Sequence, residues 1–174
     1  VVLEAKELVR RGFSHLLLVS GEHARIVSKG YVRECIEAIA AFVPQISIEV
    51  QAWDTETYRS FVDAGCDGLV VYQETYDRTT YAAVHLKGKK RNYDWRLAAL
   101  DRGAQAGMRR LGIGALFGLH DDWRSEALAM AVHAQALIKR WWRCEVAVAL
   151  PRLRPCAGPG FAVPEVLDDR SMAQ

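Results

Sequence analysis

Gly68-Leu69-Val70-Val71-Tyr72, followed at once by Gln73-Glu74-Thr75-Tyr76, is the stretch on which the fold turns. A short apolar run between a glycine and a polar segment reads as a strand buried on both faces, as in a parallel sheet. The pattern recurs on either side. His15-Leu16-Leu17-Leu18-Val19-Ser20 ends in Gly21, and Ile46-Ser47-Ile48-Glu49-Val50-Gln51 alternates. Residues 111–117 form a glycine-rich strand, and residues 145–150 a fifth, broken by Pro151 and Pro155. Helical patterns fill the gaps. Val32, Cys35, Ile36, Ile39 and Phe42 run up to Pro44, and Asp54 or Thr55 caps a helix carrying Tyr58, Phe61 and Val62 to Gly65. A polar stretch over 77–91 holds a short helix around Tyr81. Residues 94–106 are helical up to Gly107, and Asp121 or Asp122 caps a helix to about Arg140. Asp168-Asp169 caps one more.

Strand–helix repetition demands a parallel sheet with right-handed crossovers. An open doubly wound sheet advertises itself with GxGxxG after its first strand. Here that strand ends in Ser20-Gly21-Glu22, and Gly112-Ile113-Gly114 lies inside a strand. The expectation is therefore α/β, a partial (β/α) TIM-like barrel with about five parallel strands, whose function sits at the carboxyl ends of the strands.

Composition narrows the classes. In 174 residues, 51% are apolar and 25% charged, which is globular composition and excludes disorder. A net charge of +2 gives no reason to expect nucleic acid or an anionic membrane as partner. No apolar run approaches the roughly 18 residues of a membrane span, and no signal peptide opens the chain. A cytoplasmic protein is expected. Cys35, Cys66, Cys144 and Cys156 lie 31, 78 and 12 residues apart with no CxxC pair, so neither a zinc site nor a disulfide framework is expected. The five histidines have no ligand spacing, so no metal is assigned to residues of this chain. The first residue is Val1, not Met, which suggests a cut edge.

Polar groups follow every strand: Ser20, Gly21 and Glu22; Glu49 and Gln51; Gln73, Glu74 and Tyr76; His120, Asp121 and Asp122; Arg152 and Arg154. In a parallel sheet they converge on one rim. Gly21 allows close backbone approach and Glu22 accepts from an ammonium group. Glu74 suits hydroxyls, and Arg152 and Arg154, stiffened between prolines, suit a carboxylate. Gly112, Gly114 and Gly118 open a flat wall for a planar ring. Leu128, Val132 and Leu137 are expected in the core, and Trp141-Trp142 as helix-end packing. Lys87 to Arg91 is a basic loop able to pair with an acid group.

Ser20-Gly21-Glu22, Ile48-Glu49-Val50-Gln51, residues 71–77, Gly112-Ile113-Gly114-Ala115-Leu116 and Pro151-Arg152-Leu153-Arg154-Pro155-Cys156 occur in this order, with Asp122-Trp123-Arg124 before the last block. Together they resemble the tyrosine lyase (2-iminoacetate synthase) family of radical S-adenosylmethionine (SAM) enzymes. The resemblance implies a radical SAM barrel that cleaves the Cα–Cβ bond of L-tyrosine, giving p-cresol and 2-iminoacetate for the thiazole ring of thiamine. It implies that Ser20, Gly21 and Glu22 hold the methionine amino group of SAM. Tyr72 and Glu74 approach its ribose and methionine, Lys90 or Arg91 its carboxylate, and Gly114 its adenine. Arg152 and Arg154 hold the carboxylate of tyrosine. Thiazole synthase and an electron donor such as flavodoxin or ferredoxin are the implied partners.

Two departures accompany the resemblance. The family carries CxxxCxxC for a [4Fe–4S] cluster, whose open iron chelates SAM, and the four cysteines here cannot form it. Truncation explains this: residues 1–174 become the central part of the barrel domain, with the cluster ligands upstream and the closing strands downstream. Relatives also carry Ser where Ala149 stands, which removes a hydroxyl near the substrate. Two alternatives stand beside this reading: the related tyrosine lyase of iron-only hydrogenase maturation, and a truncated, non-catalytic barrel that binds a nucleoside or a partner protein.

Overall fold

The computed structural model describes residues 1–23, 26–155 and 166–173; Cys156 and the Pro/Gly-rich stretch to Phe161 lie outside them. Helices and strands alternate: α1 (Val2–Arg10), β1 (His15–Val19), α2 (Lys29–Ala40), β2 (Gln45–Glu49), α3 (Thr55–Asp63) and β3 (Gly68–Glu74). Then follow α4 (Arg78–Val84), a one-turn 3-10 helix (Lys89–Arg91), α5 (Tyr93–Leu97), α6 (Ala99–Ala106), β4 (Arg110–Ala115), α7 (Trp123–Arg140), β5 (Glu145–Ala149) and α8 (Asp169–Met172). Helix α1 is not among the expected elements; its apolar face is narrow, with Ala5 its one buried residue.

The five strands form one parallel sheet in the order β1-β2-β3-β4-β5. A doubly wound sheet reverses its strand order once; a sheet that grows steadily in one direction is an arc of a (β/α) barrel. Its core lies between the strands and the helices that cover them. Ile46, Ile48, Leu69, Leu111 and Ile113 project into that layer and meet Ile36, Ile39, Tyr58, Phe61, Leu100 and Leu137, all 0–1% exposed. Each fully buried side chain of this size contributes about 1.5–3 kcal/mol.

The starts of α3, α7 and α8 are where the sequence places them. Ser28, Asp54, Asp77, Asn92, Asp122 and Asp168 each accept a backbone N–H of the first turn of α2, α3, α4, α5, α7 and α8, each cap worth about 1 kcal/mol. Residues 94–106 are not one helix but two, α5 and α6, hinged at Ala98, which folds Arg102 back over the Trp95 ring at 3.7 Å. Gly107 ends α6 with φ 113°, the left-handed conformation that glycine adopts freely.

One core expectation is corrected. Leu128 and Val132 are 67% and 59% exposed; the buried face of α7 is Glu126, Met130, Ala134 and Leu137. These four residues follow the i, i+4, i+8, i+11 stripe, so Leu137 is in the core as expected while Leu128 and Val132 fall on the opposite face. Of the tryptophan pair, Trp141 packs on the core and donates its ring N–H to Asp101 (2.8 Å), whereas Trp142 is 75% exposed. Among the described residues no helix is long and apolar enough to cross a membrane.

Candidate active site at the carboxyl ends of the strands

Parallel pairing brings the carboxyl ends of β1, β2 and β3 side by side, with Val19 opposite Glu49. Strand β3 runs two residues further than its apolar core, through a bulge: Tyr72 pairs with Gly114 and Glu74 with Ala115, leaving Gln73 as the extra residue. The bulge re-aims the chain, and Glu74 has φ 72°. It is the one non-glycine residue in the left-handed region among the described residues. Strain of this kind costs of order 1–3 kcal/mol and persists only where the surroundings enforce it.

The Glu74 carboxylate is enclosed by cations. Lys90, from the 3-10 helix, donates to its Oε1 at 2.6 Å, and Arg96 of α5 at 3.2 Å. Arg96, whose side chain is 10% exposed, also donates to the Tyr72 carbonyl (2.6 Å) and to Glu22 Oε1 (3.2 Å). One guanidinium thus ties the turn after β1 to the end of β3. Burial, and next the Glu74 charge, push the Glu49 carboxyl above its ordinary value. The Tyr72 phenol is pushed up by burial, Glu49 and Glu74. Alternating acids and bases in one half-buried cluster suit a zwitterion that can exchange one partner for another.

Ser20 follows β1, its N–H donating to the Glu49 carbonyl (3.1 Å); its hydroxyl is buried with no hydrogen-bond partner among the described residues, at a hollow lined by Leu18, Ile26, Val27 and Val32. Gly21 is open: a Cβ there would meet nothing within 4 Å. Gly114 is tight, since a Cβ would lie 2.7 Å from the Tyr72 ring and 3.0 Å from the Ala149 carbonyl oxygen. The glycine therefore makes room for Tyr72, whose ring occupies the space over the expected flat wall.

Glu22, Tyr72, Glu74 and Lys90 are thus brought together, while Arg91 is exposed on the 3-10 helix. Arg152 lies elsewhere, past the end of β5. It bridges to Phe117 through the backbone, donates to the Leu167 carbonyl (2.9 Å) and pairs with Asp169 at 2.7 Å. Beside it is a hollow of about 350 Å³ lined by Gly118, His120, Asp122, Trp123, Leu167 and Ser171. Arg154 is exposed. The strand-by-strand reading missed Arg96 and Glu126. Nothing in the sequence marks Arg96, a lone cation in an ordinary helical stretch. Glu126 carries a signal, as the one charged residue on the apolar stripe of α7.

Among the described residues the cysteines do not converge. Cys35 is on α2, Cys144 precedes β5, and Cys66 is buried before β3, its thiol pushed up to about 12 by burial. Among the described residues no three of His, Cys, Asp and Glu form a metal site. The Glu22–Arg96–Glu74–Lys90 cluster offers partners of both signs, which fits the zwitterionic amino-acid end of SAM, whereas the described residues do not fit an iron–sulfur cluster.

Fold and strand order define the class: α/β, an arc of a (β/α) barrel. No family model matches the chain. Along its whole length it is similar to curated 2-iminoacetate synthases. It is 40% identical over 174 residues to that of Escherichia coli (strain K12), covering all of this chain and 46% of that protein. It is likewise 40% identical over 171 residues to that of Salmonella typhimurium (strain LT2), covering 98% and 45%. Among solved structures, HydG, a maturase of the [FeFe]-hydrogenase, superposes with TM-score 0.90 at 29% identity, over 98% of this chain and 39% of HydG. The chain spans a little under half the length of the curated relatives it matches.

Proposed function

We propose that the full-length protein is a radical SAM tyrosine lyase, which cleaves the Cα–Cβ bond of L-tyrosine to p-cresol and 2-iminoacetate. The observation that carries the proposal is the Glu22–Arg96–Glu74–Lys90 cluster at the strand ends, in a chain 40% identical along its whole length to 2-iminoacetate synthases. Residues 1–174 form the central part of the barrel domain in this reading, and the cluster-ligating cysteines and closing strands belong to the rest of the protein. Bound SAM supplies, on reductive cleavage, a radical able to abstract hydrogen from substrate.

The chain's own residues bind and orient. Glu22 and the Ser20 hydroxyl meet the ammonium of SAM, and Lys90 meets its carboxylate by releasing Glu74. Tyr72, lying across Gly114, forms the wall beside the nucleoside, and Glu74 accepts from its hydroxyls. Arg152, with Arg154 further out, receives the tyrosine carboxylate at the hollow beside β5, Asp169 being its stand-in partner. Thiazole synthase as recipient of the product, flavodoxin or ferredoxin as electron donor, and a cytoplasmic location follow from the same reading. The hydrogenase-maturation alternative has the close superposition on HydG in its favour, but the identity is lower, 29% against 40%.

Full-length protein reconstituted anaerobically with iron and sulfide is expected to release p-cresol from tyrosine and SAM, and the 174-residue chain alone to give no turnover. A reconstituted protein that makes 5′-deoxyadenosine but no p-cresol overturns the substrate. A protein that binds SAM and never cleaves it is a non-catalytic barrel.

A further inference from the structure

Glu126 is 3% exposed on α7, the helix that follows β4, yet its carboxylate faces the turn after β3. Its Oε1 accepts from the Thr75 hydroxyl at 2.8 Å and from the Asp77 N–H at 3.1 Å. The Tyr76 N–H donates to both carboxylate oxygens, at 2.9 and 3.1 Å. Thr75 is itself fully buried, and its hydroxyl oxygen receives the Asp77 N–H at 3.1 Å. Two turns further along the same helix face, His133 Nδ1 meets the Tyr76 hydroxyl at 3.0 Å. Every donor that Glu126 meets thus belongs to the three residues directly after Glu74.

A buried carboxylate is costly unless donors surround it, and a lone packing contact would not need one. What needs rigid support here is Glu74, held left-handed at φ 72° against the preference of its side chain. Upstream, β3 pairs with β4, and the Glu74 carbonyl accepts the Leu116 N–H at 2.7 Å; downstream, the chain runs straight into the Thr75–Asp77 turn, which Glu126 grips at three points. We infer that Glu126 of α7, together with Thr75, is a positioning residue that keeps Glu74 in its strained conformation and so aims the Glu74 carboxylate into the cofactor cluster. This rests on the reading of Glu74 as a group that contacts SAM.

The test uses the full-length reconstituted protein with SAM as the probe. Glu126→Gln keeps the shape but sets an amide NH2 against a backbone N–H; SAM affinity is expected to fall about tenfold with the KM for tyrosine unchanged. Thr75→Val is expected to lower affinity about threefold, whereas Thr75→Ser, which keeps the hydroxyl, restores it. A thermal cycle separates positioning from bulk stability. Glycine adopts φ 72° without strain, so in a Glu74→Gly background Glu126→Gln is expected to lower Tm by less than half as much as in the wild type. Equal Tm losses in both backgrounds overturn the inference, as does unchanged SAM affinity in Glu126→Gln when Glu74→Gln weakens it. If Glu74→Gln itself leaves SAM affinity unchanged, the cofactor reading of Glu74 falls, and the thermal cycle alone still decides whether Glu126 enforces the strain.

Discussion

Arg96 and Arg110 occupy opposite ends of the same sheet, and each joins an acid to a neighbouring strand. At the amino end, Arg110 of β4 reaches across Gly68, donating to Gln45 on one side and Glu145 on the other, both at 2.9 Å. Its side chain is 29% exposed and that of Glu145 59%. At the carboxyl end, Arg96 is 10% exposed and serves a carbonyl and two carboxylates contributed by two segments of chain, the end of β3 and the turn after β1. The difference is one of solvation. Water can take over the partners of Arg110, but at Arg96 it is largely excluded. The carboxyl end thus concentrates charge where it is costly to keep, which is where a (β/α) barrel keeps its chemistry.

The largest effect expected from this contrast is at Arg96. Arg96→Met keeps most of the side-chain length but takes the guanidinium from the Tyr72 carbonyl and Glu22 and leaves Glu74 to Lys90. Breaking such a buried network costs about 3–5 kcal/mol, readable in urea unfolding of the full-length protein. SAM affinity should fall with it. A loss below about 1 kcal/mol would make the two ends equivalent and remove the reason to place the site at this one.

How far the sequence reaches is itself uneven between these two ends. Apolar runs and cap residues report the strands and the starts of α3, α7 and α8 because burial and capping are local or periodic. Ser20, Glu22, Tyr72 and Glu74 are legible as strand-end groups for the same reason. The bulge at Gln73, the left-handed Glu74 and the Arg96 hub are not, because they depend on which segments the crossovers bring together. Leu128 and Val132 mislead because α7 offers apolar residues on two faces, and only its docking onto the sheet selects the stripe through Met130 and Leu137. Glycine at 114 reads as an open wall from sequence, whereas the neighbouring strand fills the opening with Tyr72.

A middle-sized effect separates the two ends by pH. Glu49 has its carboxyl raised, by burial first and by Glu74 second. Below the ordinary carboxylate value both folded and unfolded states hold the proton, and the stabilisation is fully present. As pH rises through the raised folded value, the unfolded chain has already ionised while the folded one must ionise a half-buried group, so stability is lost. Glu49→Gln is therefore expected to raise Tm slightly at pH 7, by about 1–2 °C after screening by solvent. At pH 4 it should change nothing. An increase of the same size at both pH values would mean that packing, not charge, is responsible.

The smallest effect belongs to Arg110. Arg110→Ala removes a half-open ion pair and one hydrogen bond to Gln45, for which the expected loss is about 1 kcal/mol or less. Because the Glu145 partner lies in water, the loss should shrink further as salt is raised from low to about 1 M, where the screening length falls to roughly 3 Å. His15 gives a second readout at this end of the sheet. Its imidazole is held below its ordinary value by burial first and by the Arg110 charge second, and it meets Ser47 Oγ at 2.8 Å. Removing the guanidinium should therefore shift the His15 titration upward, measurable by NMR, while the fold stays intact. A His15 titration that stays put would assign the depression to burial alone. A stability loss as large as that of Arg96→Met would mean that the amino end is as tightly enclosed as the carboxyl end.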